Sequence, residues 1–238
     1  MKNRKTNYKT IALASLVLLG AIKGFAQTNV GHFNKVTVNP NIEVVFKQGN
    51  QESVRIERAN INKDKILIET ANGRLKLSIK GWNENKNHNP HNGTKASLVV
   101  TYRNIEELIL KGDQDISFED IIRADNFKLY VYGDSEVTLK EVDIESFQSK
   151  LYGDNTLEIE SGNVEYMDYT VYGDCSIKTM GVDNYETKIM AFGDADFDIS
   201  VTDYLKVNAL GDADVTYKGN PRVSKGLSLG DTSIRRAR

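Results

Sequence analysis

Cysteine, proline, histidine and tryptophan are scarce in this chain. Its 238 residues include one Cys, three Pro, three His and one Trp. The single thiol, Cys175, excludes an intramolecular disulfide and suits a small buried side chain. The histidines offer little for a metal centre. His88 and His91, in "HNPH", flank Pro90 with no third ligand nearby, so a solvated loop is expected there, and His32 stands alone. No Ser-His-Asp set, Gly-rich phosphate loop or catalytic cysteine can be assembled. Long apolar runs are also missing after the first residues, so no transmembrane segment is expected in the mature chain. The start differs: "MKNRKTNYK" is basic, "TIALASLVLLGAI" is apolar but short, and Gly24 and Ala26 bracket a cut before Gln27. Residues 1–26 are therefore expected to be a secretory signal peptide, with an uncleaved anchor as the alternative, and no cysteine near the cut for lipid attachment. The protein is then periplasmic, cell-surface or secreted. Without the leader, 26 Lys/Arg face 33 Asp/Glu, a net charge of −7. That balance argues against a nucleic-acid partner, since neutralising phosphates needs clustered cations.

What the chain does have is a period. Gly-Asp recurs at Gly112, Gly133, Gly153, Gly173, Gly193, Gly211 and Gly230, in steps of 21, 20, 20, 20, 18 and 19 residues. A repeat near twenty is the mark of a solenoid. Columns two and four residues before the glycine, and four and six after it, are mostly apolar, which is the spacing of strands with one buried face. The column five before the glycine (Lys128, Gln148, Asp168, Lys188, Lys206, Lys225) is polar and faces out. One coil buries about five apolar side chains, roughly 7–15 kcal/mol, against roughly 20–40 kcal/mol to order twenty residues. Coils must therefore stack. The expected fold is all-β, a right-handed parallel β-helix of ~20-residue coils with an N-terminal strand and hairpin cap. Glycine suits a corner that needs positive φ. The small residue after Gly-Asp, Cys175 among them, is expected to point into that corner.

Residues 27–104 are expected to hold the β cap and first coils, and residues 105–238 the repeated coils. The first part lacks the period. "FNKVTVNPNIEVVFKQG" (33–49) and "SVRIERA" (53–59) suggest strands, and "KILIETANGRLKLSIKG" (65–81) a hairpin with Asn72-Gly73 at its turn.

In order and spacing these stretches resemble the GIN domain, the head domain of autotransporter adhesin-like proteins exported by Bacteroidetes. The likeness rests on "F-x-x-V-x-V…I-x-V-x-F-x-Q-G", "A-N-G-x-L", the repeated strand-Gly-turn-strand coils and "VTYKGNPRV" (215–223), and covers roughly residues 30–234. It implies an exported β-helix with an adhesive or surface role and no catalytic residues. An autotransporter also carries a C-terminal membrane barrel; none is read in these residues, so self-export is not expected. The family's turn is usually built of Gly and Ser, whereas Tyr and Asp flank the glycine here.

Two outward columns are the candidate sites. The first is the aromatic ladder Tyr132, Tyr152, Tyr172 and Phe192, continued by Lys111, Leu210 and Leu229. An exposed apolar strip of this kind suits a protein partner, self-association or a glycan, unless the rings merely stack on each other or lie under a loop. The second is the carboxylate column, with Asp134, Asp154, Asp174, Asp194 and Asp212, extended by Asp196 and Asp214. Each carboxylate can cap a turn by accepting backbone N–H bonds. Like charges one strand spacing apart repel by roughly 1 kcal/mol in water, so weak Ca²⁺ binding is the one cofactor expectation. The functional expectation is a non-enzymatic adhesin-like or surface-binding module. The alternatives are an enzyme acting on an extracellular polysaccharide and a purely structural envelope protein.

Overall fold

The computed structural model describes residues 27–81 and 93–238. The signal-peptide segment, and His88 and His91 of the polar loop, lie outside the described residues. The N-terminal part contributes β1 (Gln27–Asn29), β2 (Lys35–Val38), β3 (Ile42–Gln48), β4 (Ser53–Ala59), β5 (Ile66–Ala71), β6 (Arg74–Ile79) and β7 (Ala96–Tyr102). The repeat begins with β8 (Glu107–Lys111) and β9 (Gln114–Phe118). It then alternates long and short strands: β10 (Ile122–Tyr132), β11 (Ser135–Leu139), β12 (Val142–Tyr152), β13 (Asn155–Ile159), β14 (Gly162–Tyr172), β15 (Cys175–Thr179), β16 (Val182–Phe192) and β17 (Ala195–Ser200). It ends with β18 (Tyr204–Leu210), β19 (Ala213–Lys218), β20 (Arg222–Leu229) and β21 (Thr232–Arg236).

The strands form two long sheets, of 11 and 10 strands, that run the length of a parallel β-solenoid. Every apolar column of the sequence stacks on itself, as in Val131 on Leu151 and Val171. Inside, the rings of Phe118, Phe127, Phe147, Tyr169 and Phe197 follow one another with centroids 5.9–6.3 Å apart. Alternation breaks once in each long strand. Ile144 and Phe147 are both buried, with Glu145 and Ser146 both outward between them. The register likewise skips Asp125, Glu145 and Glu165. Two successive outward residues shift the phase and bend the strand, so each coil has three faces.

The Gly-Asp corner is tighter than positive φ alone requires. Gly153 has φ 113, and a methyl placed on it would lie 2.4 Å from the Gly133 carbonyl oxygen. Each corner glycine therefore nests on the backbone of the one before. The residue after Gly-Asp points inward as expected: Ser135 Oγ donates to the Gly112 carbonyl at 3.0 Å. Cys175 Sγ lies 3.5 Å from the Gly153 carbonyl, and burial pushes its thiol up to about 11.

The N-terminal part departs from the reading that it lacks the repeat. β2 pairs with β8, and β3 with β9, both in parallel, so these two strands form a full coil. Its corner is Pro40-Asn41 in place of Gly-Asp. Asn41 takes φ 66, and a methyl on Gly112 would meet Pro40 at 2.8 Å. This coil is sandwiched. On its other side lie β6, beside β2, and β7, beside β3, both later in the chain. Antiparallel strands then close the end: β4 and β1 beyond β7, and β5 beyond β6. The Asn72-Gly73 hairpin turn is present, with φ 51 and 73. His32 is not isolated; its Nδ1 lies 2.8 Å from the buried Glu52 carboxylate, pinning the cap. Burial alone would raise Glu52. The hydrogen bond to His32, a backbone N–H bond and the Arg103 and His32 charges outweigh it and hold the carboxyl below its ordinary range. One outward column is also corrected. A register shift after Val207 places Lys206 opposite Ser224 and Lys225 opposite Val207, so Lys225 leaves the lysine column.

Candidate functional site: an aromatic ridge beside a carboxylate rail

The last residue of each long strand points outward immediately before the corner. Strand register sets Tyr132 opposite Tyr152, Tyr152 opposite Tyr172 and Tyr172 opposite Phe192. The carbonyl of each ring residue accepts from the corner glycine of the previous coil, as in Gly133 N–H to Tyr152 at 2.9 Å. The backbone under the ladder is thus fixed. Above it the four rings are nearly parallel and stacked, with centroids 5.2, 4.8 and 4.4 Å apart and interplanar angles of 6°, 4° and 1°. Such pairs add about 0.5–1.5 kcal/mol each beyond area burial.

Stacking decides what the ridge presents. Both faces of Tyr152 and Tyr172 are covered by neighbouring rings, and Lys111 and Leu210 stand in register beyond the two ends. Ring edges and three phenol hydroxyls are what remain outward, with Tyr132 47% and Tyr172 37% exposed. The neighbouring outward column adds Tyr130, Lys150, Thr170 and Met190. The sequence reading left that column out, although parity two residues before the ladder would have found it.

The Asp column runs along the next edge as a rail. Three of these side chains reach a coil further than expected. Asp134 Oδ1 accepts from the Asp154 N–H at 2.9 Å, and Asp212 Oδ1 from the Asp231 N–H at 2.9 Å. Asp113 does the same for Asp134 at 3.2 Å. Asp174, Asp194, Asp196 and Asp214 line an open trough beside the rail, over the buried Cys175, Ala195 and Ala213. Asp214 also has Arg235 at 3.9 Å. Among the described residues, no three His, Cys, Asp or Glu side chains converge in a way that could hold a metal ion.

Residues 32–221 match the family model described as "Putative auto-transporter adhesin, head GIN domain". The chain belongs to this GIN domain family. Among curated proteins none matches. Solved structures resemble its fold along most of its length. A "putative adhesin" from Bacteroides fragilis is 16% identical with TM-score 0.75, over 89% of this chain and 95% of that one. A "putative adhesin" from Parabacteroides merdae is 15% identical with TM-score 0.66, over 90% and 95%. A "Putative lipid binding protein" from Parabacteroides distasonis is 17% identical with TM-score 0.65, over 90% and 96%. At these identities the likeness establishes the shared solenoid. The GIN domain's ring ladder and rail are read from this chain's own residues.

Proposed function

We propose that this GIN domain is an exported, non-enzymatic surface-binding module whose contact face is the ridge of Tyr132, Tyr152, Tyr172 and Phe192, and whose occupant is a protein surface. The observation that carries the reading is the stack of parallel rings. It leaves a flat strip of ring edges and hydroxyls, beside Tyr130 and Met190, at the repeat of a β-sheet. Aromatic and Met side chains are the types enriched where proteins meet. A saccharide would stack on ring faces, and in this ladder neighbouring rings occupy them. The family description as an adhesin head supports a surface role. Export rests on the basic and apolar character of residues 1–26; no described helix is long and apolar enough to cross a membrane. Enzymatic action on a polysaccharide is less favoured, since the rail carboxylates accept backbone bonds along an open trough.

The test replaces all four ladder residues by Ser in the mature chain. Solution mass by light scattering and retention on the producing cells are measured, with the melting profile as a folding control. The expected outcome is loss of oligomer or of cell retention by about tenfold or more, the scale set by losing a buried aromatic anchor. Unchanged mass together with unchanged retention would sink the reading.

A further inference from the structure

We infer that a second aromatic surface, at the bend of the long strands, binds a neutral polysaccharide chain. It is separate from the ridge and does not depend on it. The bend leaves two successive residues outward, eight and seven before the corner glycine, in five consecutive coils. Down the stack these pairs are Asp125-Asn126, Glu145-Ser146, Glu165-Tyr166, Tyr185-Glu186 and Asp203-Tyr204. In the last three of these pairs, tyrosine and carboxylate alternate both along the chain and across coils, forming a checkerboard. Tyr166 stands opposite Glu186, which stands opposite Tyr204.

This arrangement has the opposite consequence to the ladder. Tyr166 and Tyr185 are 40% and 49% exposed, and among the described residues neither stacks on another ring. Tyr204 carries the Arg222 guanidinium over its ring at 5.6 Å. Tyr166 and Tyr185 stand on adjacent strands, one spacing of about 4.8 Å apart and one residue out of register. That pair suits successive sugar rings of an extended chain, whose C–H faces lie on tyrosine while their hydroxyls donate to adjacent carboxylates. The neighbouring Glu165 carboxylate raises the Tyr166 phenol above its ordinary range.

Charge selects the class of glycan. Two of the three nearby cations are already engaged, Lys188 with Glu186 at 2.8 Å and Arg222 with Asp203 at 3.3 Å; with Lys206 they face the carboxylates of Glu165, Asp168, Glu186 and Asp203. The surface keeps surplus carboxylate and would repel uronic acids. The platform is also held from below. Asn184, 2% exposed, donates to the carbonyls of Val164, Glu165 and Glu186 and accepts from Thr187. The Tyr185 carbonyl accepts from Asp203 N–H at 3.0 Å. Tyr185 therefore projects from a fixed backbone, which limits the ordering cost of binding.

The experiment titrates the mature chain with cellohexaose, mannohexaose, laminarihexaose and hexagalacturonate, following binding by calorimetry and by tyrosine fluorescence. At least one neutral hexasaccharide is expected to bind and hexagalacturonate is not. Tyr166→Ala and Tyr185→Ala are each expected to weaken binding about tenfold, 1.4 kcal/mol. Tyr185→Phe, which keeps the ring, is expected to bind nearly as well as the native chain. The fourfold Ser ridge variant should bind unchanged, so failure here and failure of the ridge reading are separable. Melting curves establish that the exposed-site variants fold. The inference is overturned if no neutral hexasaccharide binds, if binding survives both Ala changes, or if hexagalacturonate binds equally well.

Discussion

The N-terminal part and the regular stack solve one problem, covering strand edges, in different ways. From β8 onward each coil lies on the previous one in chain order, about twenty residues apart, and the same residue types meet at every level. Before β8 the order is scrambled. The coil of β2 and β3 lies between strands that come later in sequence, and antiparallel β1, β4 and β5 close the end. A repeating stack passes its requirements from one level to the next, so its corners tolerate little variation. A cap is made once, so its turns are set by local residues alone. An uncovered edge offers unpaired backbone groups to another chain; here the outermost strands are β5 and β1, the latter only three residues long.

The sharpest way to break this contrast is a pair of matched substitutions. Gly173 and Gly81 both have positive φ, at 113 and 79. A methyl on Gly173 would fall 2.6 Å from the Gly153 carbonyl oxygen, while one on Gly81 meets nothing within 4 Å. Gly173→Val is expected to cost about 3–5 kcal/mol, because conformational strain is joined by forced separation of two coils. Gly81→Val is expected to cost only the strain, about 1–2 kcal/mol. Urea melts of the two variants measure the difference, and equal midpoints would remove the claim that corner glycines are held by inter-coil nesting.

Acid should separate the regions more gently. Glu52 is held below its ordinary carboxyl value, so its contribution is complete above that value and is lost as pH falls through the lower, folded one. Protection factors of the β1 and β4 amides, which correct for the intrinsic slowing of exchange in acid, are expected to fall at the acid end of a series from pH 6 to pH 3. In Glu52→Gln they should be low throughout. A native cap whose exchange followed the variant's at every pH would show that the Glu52–His32 contact does not hold it. The smallest expected effect lies on the rail. Ca²⁺ at millimolar levels, by easing repulsion between carboxylates, should raise the melting temperature of the stack by a degree or two, under about 1 kcal/mol. Asn in place of Asp194, Asp196, Asp212 and Asp214 should abolish that rise, and a rise retained by the variant would locate calcium elsewhere.

The stack was legible because its residues repeat. Parity about the glycine placed Val131, Tyr132 and Asp134 on their correct sides, and the small residue of the corner indoors. Three features escaped that reading. The β2–β3 coil was hidden because Pro40-Asn41 supplies the corner without Gly-Asp, and because its neighbours are distant in sequence. The bend tyrosines were missed because strict alternation was assumed, whereas two successive outward residues reset the phase at Glu165-Tyr166 and Tyr185-Glu186. That signal was present in the columns eight and seven before each glycine. For the ladder, sequence gave the column but not the ring planes, and the planes determine whether a face or an edge meets a partner.

The sandwiched coil also carries a consequence for how the molecule is assembled. Val44 pairs with Ile116, 72 residues away, while partners within the stack are about twenty apart. Chain-closure entropy favours the nearer pairs. Folding should therefore begin among the later coils and finish where the chain began. A nascent chain emerging N-terminus first would have nowhere to seat β2 and β3 until β6 through β9 had followed. For a chain made from its N-terminus, this amounts to a built-in delay written into strand order.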